Sequence, residues 1–168
     1  MIEKMHRFGV LRSILWGLFG FILCIFAVTS GLHAGEKPLF TASELRIVTD
    51  QRAITVSVEV ASTHRARIQG LQGRRHLAAK SGMLFDFIKP QIISMWMKNT
   101  YISLDMIFIG ADGRILHIAE NTEPFSLKSI LSPVPARAVL EMKAGSADRY
   151  GIEPGHRVEH PIFVKKRR

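Results

Sequence analysis

Cysteine is nearly absent: the 168-residue chain has one, Cys24. A lone cysteine excludes a disulfide-stapled scaffold and any zinc site built on several thiolates. Aromatic residues are sparse at 8%, and the two Trp are Trp16 and Trp96. Acids are outnumbered, 14 against 23 Lys and Arg, giving a formal charge of +9. The one long apolar run, residues 14–28, contains no charged residue. As a helix it would rise ~22 Å, short of the ~30 Å hydrocarbon core of a bilayer. Recognisable catalytic pairs are also missing. Ser94, Ser103, Ser126, Ser129 and Ser132 lie in no nucleophile elbow, and His64, His76, His117, His156 and His160 form no HExxH pair. Conversely, 47% hydrophobic residues exclude a disordered chain.

What is present begins with an address. Lys4, Arg7 and Arg12 precede the apolar run, which gives way to small and polar residues, with Ala34 before Gly35. A basic start, a short apolar run and a small-residue exit predict a secretory signal peptide over residues 1–34. Its alternative is an uncleaved anchor. The expected location is therefore periplasmic or secreted, or held at the inner membrane facing outward. Cys24 lies inside the apolar run rather than at its exit, so a lipoprotein signal does not fit. The chain ends in Lys165-Lys166-Arg167-Arg168. That basic tail reads as a solvated end; attraction to anionic lipid is its functional alternative. Membrane association through the tail or an uncleaved N-terminus is the alternative expectation. The remaining basic residues are scattered, so no nucleic acid partner is expected.

Residues 35–44 read as a linker and 45–164 as a single domain. Residues 54–60 (ITVSVEV) alternate apolar and polar side chains, the pattern of a half-buried strand. Residues 62–71 predict a short helix capped by Ser62 or Thr63, with Ile68 and Leu71 on one face. Apolar runs at 83–88, 92–97 and 104–109 predict strands, and Asp112-Gly113 predicts a hairpin turn into the strand that follows. A further strand at 137–142 places Ala138, Leu140 and Met142 on one face and Arg137, Val139 and Glu141 on an outer one. A helical turn is expected at 145–150, then an edge strand at 157–164 interrupted by Pro161. The fold class is mainly β: a compact antiparallel barrel or jelly-roll-like sandwich with one or two short helices.

The segment 94–108 (SMWMKNTYISLDMIF) is the richest in chemistry. Alternation puts Met95 and Met97 on one face, as core filler or as a thioether pair for Cu(I). Trp96 and Lys98 share the other, a stacking platform beside a charge. Asp105, among apolar neighbours, is expected to accept from backbone donors.

Gly70-Leu71-Gln72-Gly73-Arg74, Gly82-Met83-Leu84-Phe85 and Met95-Trp96-Met97-Lys98-Asn99-Thr100 together resemble the exported bacterial and archaeal family called domain of unknown function 192. So do Leu104-Asp105, Ala138-Val139-Leu140-Glu141 and Ala144-Gly145. The resemblance covers residues 45–164. It implies a compact, mainly β, barrel-like or jelly-roll-like domain, often behind a signal peptide, with no settled activity. Two departures stand out: Ser103 where Pro commonly precedes Leu-Asp, and Gly155-His156 where Gly-Asp is usual. The polar set the motifs carry over is Arg67, Arg74, Trp96, Lys98, Asn99, Asp105 and Glu141. One reading makes it an ion-pair network, Arg67 and Arg74 meeting Asp105 or Glu141. The other makes it a shallow anion- or sugar-binding cleft.

The functional expectation is a non-catalytic module of the cell envelope, binding a small ligand or an envelope protein without a cofactor or metal. Two alternatives stand beside it: a hydrolytic enzyme using Asp105 and Glu141 as acid and base, and a Cu(I)-handling protein using Met95 and Met97.

Overall fold

The computed structural model describes residues 38–164. The expected signal peptide or anchor, the start of the expected linker and the basic tail lie outside the described residues.

Strands β1 (Thr41–Val48) and β2 (Ala53–Ala61) form an antiparallel hairpin in register from Thr41↔Val60 to Val48↔Ala53. Helix α1 (His64–Gln69) then crosses over and delivers β3 (Ser81–Gln91) parallel to β2. A parallel neighbour requires such a crossover, so this helix explains the parallel pair in a sheet whose other pairs are antiparallel. Next come β4 (Ser94–Met95), β5 (Leu104–Ile109), β6 (Ile115–Ala119), β7 (Ile130–Leu131) and β8 (Ala136–Lys143). Helix α2 (Ser146–Tyr150) and β9 (Arg157–Glu159) complete the domain. The main sheet has seven strands in the order β6-β5-β8-β3-β2-β1-β9, and its two edges approach each other. Arg114 bridges to Arg157, Ile115 N donates to the His156 carbonyl at 2.8 Å, and Val158 N donates to the Gly113 carbonyl at 2.7 Å. The sheet is thus a nearly closed barrel. Gly113 is needed there: its φ is +86°, and a Cβ would stand 2.5 Å from the Val158 carbonyl oxygen.

The barrel interior is aliphatic. Ile47, Val56, Leu84, Ile107, Leu140 and Val158 meet inside it, with Ala147 and Ile152 from the α2 region against them. A second apolar cluster joins residues of β3, β8 and β5 to α1 and to the β4–β7 ribbon. Met83, Phe85, Met106 and Val139 supply the barrel side of this cluster, and Ala66, Leu71, Met95 and Met97 the covering side. Both faces of β8 are therefore buried, which explains its almost unbroken burial.

Several boundaries differ from expectation. Strand β1 begins at Thr41, inside the expected linker, because its exposed first half looks like linker by composition. Thr63 caps α1 as expected, accepting from Ala66 N at 3.1 Å, but the helix buries Ala66 and leaves Ile68 51% exposed. In 92–97 just Ser94–Met95 pairs as a strand, since Met97 N turns to the Ser126 carbonyl. Its partner β7 carried no sequence signal at two residues long. The last strand stops at Glu159. His160 accepts from Ile162 N and begins a 3-10 turn over Pro161–Phe163, where Pro161 has no N–H for a ladder.

Candidate functional site

A pocket of about 190 Å³ opens in the outer layer, beside β8 and between α1 and the segment following β4. Two local devices shape its walls. Gly70, at φ +46°, ends α1 so closely against Phe85 that a Cβ would sit 3.2 Å from the ring. Asn99, at φ +53°, accepts from Gly73 N through its carbonyl at 2.9 Å and donates through its side chain to Gln72 Oε1 at 3.1 Å. The two loops are thereby tied together beside the pocket, with Asn99 outside its lining.

Glu141 is the buried acid of the pocket. Its residues across the sheet are Met83 on β3 and Met106 on β5, so thioethers flank it on both sides. It is 4% exposed, lines the pocket, and has no hydrogen-bond or ion-pair partner among the described residues. Burial without a compensating donor disfavours the charged form and pushes its pKa up to about 8. At neutral pH Glu141 is therefore a carboxylic acid, able to donate as well as accept. It is the one acid among the pocket's lining residues.

Trp96 and Lys98 stand at the rim, both exposed, with the Lys98 ammonium 5.5 Å from the Trp96 ring centroid. Arg67 also lines the pocket, with one nitrogen of its guanidinium committed. Nη1 donates to the Ser62 carbonyl at 2.8 Å and to the Asp86 carbonyl at 2.9 Å, and the group lies over Phe87.

Of the seven residues carried by the motifs, the pocket gathers Arg67, Trp96, Lys98 and Glu141. Arg74 instead pairs with Glu59 on a different surface, beside β1 and β2. Asp105 is fully buried and structural, as its apolar setting predicts: Oδ1 accepts from Asn121 N at 3.0 Å and Oδ2 from Ala147 N at 2.9 Å, at the start of α2. The expected ion pairs of Arg67 and Arg74 with Asp105 or Glu141 do not form.

The acid–base reading is overturned by register. Glu141 lies opposite Met106, while Asp105 lies opposite Met142, so the two carboxyls project from opposite faces of the sheet. They cannot flank one substrate. The face of Glu141, expected to be outer, is covered by the second layer. Met95 and Met97 do share a face, but it is that layer's core. Met97 is fully buried with its sulfur 3.2 Å from the Thr122 hydroxyl, and Met95 alone of the pair lines the pocket. Both departures from the family pattern are turn chemistry. Ser103 donates to the Thr122 carbonyl at 2.7 Å, and His156 Nδ1 accepts from Glu153 N at 3.0 Å.

His64, Gln72, Phe85, Phe87 and Thr100 also line the pocket and were not singled out from the sequence. The signal that could have found most of them is adjacency to quoted motifs: Gln72 lies within one, and Phe85 and Phe87 alternate along β3.

The profile of the family described as DUF192, Uncharacterized ACR, matches residues 46–160. A crystal structure from Sinorhizobium meliloti 1021, of a protein described as a candidate transcription regulator, is 41% identical with a TM-score of 0.73. That alignment covers 76% of this chain and 99% of the other. A protein of unknown function from Novosphingobium aromaticivorans DSM 12444 is 34% identical with a TM-score of 0.69, over 71% of this chain and 85% of the other. No curated protein matches the chain. With the profile spanning the barrel and its outer layer, this chain belongs to the DUF192 family.

Proposed function

We propose that this protein is an exported, non-catalytic module of the cell envelope that binds a small ligand in the pocket above β8. The observation that carries this reading is Glu141: a carboxyl buried among methionines, without a partner among the described residues, lining an open cleft. Among the described residues no fully buried side-chain oxygen lacks a partner, so the Glu141 carboxyl opens onto the cleft, where a ligand's polar group can reach it. Its neighbours suit recognition: an exposed indole, an adjacent ammonium and aromatic walls. The paired-carboxylate chemistry considered from the sequence has no second acid in this pocket, which favours binding over that reaction. Export rests on the basic, apolar and small-residue order of residues 1–34.

Thermal unfolding of the purified protein against acidic and neutral sugars, phosphates, peptidoglycan fragments, zinc and Cu(I) tests this. A ligand at 100 times its Kd adds ~2.7 kcal/mol to the native state, a midpoint rise of roughly 5–15 °C. The expected result is a rise with one organic class, lost in Trp96→Ala. A flat panel, or a rise with Cu(I) alone that survives Trp96→Ala, overturns it.

A further inference from the structure

Resting on that reading of the pocket, we propose that its ligand is an acidic monosaccharide. The ring lies beside Trp96, the carboxylate meets Lys98, and a ring oxygen or hydroxyl accepts from Glu141. Size is the first argument. About 190 Å³ falls below the ~300–1,000 Å³ of drug-sized sites and suits one six-membered ring rather than a chain of them. Charge is the second. Arg67 is engaged by two backbone carbonyls and Phe87, whereas Lys98 has no ion pair among the described residues and rests against Trp96. The pocket thus carries two cations without an ion pair among the described residues, Arg67 held in place through Nη1 and Lys98 with its ammonium exposed at the rim, and the positive lining selects an anion. Trp96 argues for a ring over bare phosphate, because an indole face stacks on the C–H face of a ring. The hydroxyl of Ser94 and the Glu141 carboxyl offer the polar contacts that sugar hydroxyls need.

Glu141 then acts as a donor only while protonated. Once ionised it loses the donated bond and repels the ligand's own carboxylate. The other titratable or charged groups around the pocket are His64 and Arg67 on α1 and Lys98 after β4. On β3, Asp86 is paired with Arg137 of β8 at 3.4 Å, and β5 contributes the uncharged Met106.

Calorimetric titration of the full chain with D-glucuronate and with D-glucose, from about pH 6 to about pH 9, is the test. Glucuronate is expected to bind about tenfold or more tightly than glucose at neutral pH, the equivalent of ~1.4 kcal/mol. Its affinity should fall by up to about tenfold per pH unit above pH 8, as one proton is lost. Lys98→Met removes the preference for glucuronate. Glu141→Gln keeps a donor but does not titrate, so it binds glucuronate without the fall above pH 8. Equal affinity for the two sugars, or a fall above pH 8 that persists in Glu141→Gln, overturns the proposal. If neither sugar binds while another organic class raises the unfolding midpoint and Trp96→Ala abolishes the rise, the acidic sugar is wrong and the pocket reading stands. If nothing in the panel binds, both fall.

Discussion

Strand β8 faces two interiors, and they are built differently. Inward, Ala138, Leu140 and Met142 join aliphatic side chains from all around the barrel. The carboxyl on that side of the sheet, Asp105, receives two backbone N–H groups and so fastens α2 and the loop at Asn121 to the barrel. Outward, Val139 and Glu141 meet methionines, aromatics and a cleft. The carboxyl there receives nothing from the described residues. The comparison teaches what a buried carboxyl signifies: with its donors in place it builds structure, and without them it marks a place kept for something else. The methionines fit the second role, since unbranched thioethers repack around a guest more readily than the branched side chains of the barrel.

Substitutions can break this contrast. The largest effect is expected from Asp105→Ala, which strands the buried Ala147 N–H, releases the part-buried Asn121 N–H and should destabilise by about 4 kcal/mol in urea unfolding. A loss under about 1 kcal/mol would mean that Asp105 is not the fastening described. Next is Glu141, whose effect has the opposite sign. Its native pKa near 8 lies above the value of 4.5 expected in the unfolded chain, so between these values the native state holds the extra proton. The contribution of this residue to stability is therefore full below pH 4.5 and declines as pH rises towards 8. The decline attributable to this residue is at most on the order of 5 kcal/mol over that range. Glu141→Gln should remove that slope and be the more stable protein at pH 8, as denaturant midpoints across pH would show. Gly113→Ala, forced to a positive φ against the Val158 carbonyl, should lose about 2 kcal/mol and loosen the barrel seam, visible as faster amide exchange at Ile115 and Val158. Arg74→Ala removes a half-buried ion pair away from the pocket and should change stability by about 1 kcal/mol or less, leaving ligand-induced midpoint shifts intact.

The inner barrel was more legible in the sequence than the outer layer. Alternation in 54–60 and 104–109, the Asp112-Gly113 turn and the inward set of β8 follow from side-chain periodicity, which is a local property. Asp105 was readable for the same reason, as a polar residue in an apolar run at a turn. Glu141 was not, because its face looks polar beside Arg137. Its burial depends on a two-residue ribbon held by non-local bonds such as Ser132 N to the Ile93 carbonyl. Alternation did place Trp96 and Lys98 outside and Met95 and Met97 inside. What it could not supply was the long-range fold-over that brings Trp96 and Glu141 to one cleft.

The central claim is that Glu141 is neutral in the folded protein at pH 7. Carbon-detected NMR of the side-chain carboxyls across pH, with Glu141→Gln to assign the signal, measures it directly. The account predicts one glutamate titrating near pH 8 and absent from the variant, while the protein remains folded. If every glutamate signal titrates in the ordinary range near pH 4.5, Glu141 is ionised at neutral pH and the account of the pocket is wrong.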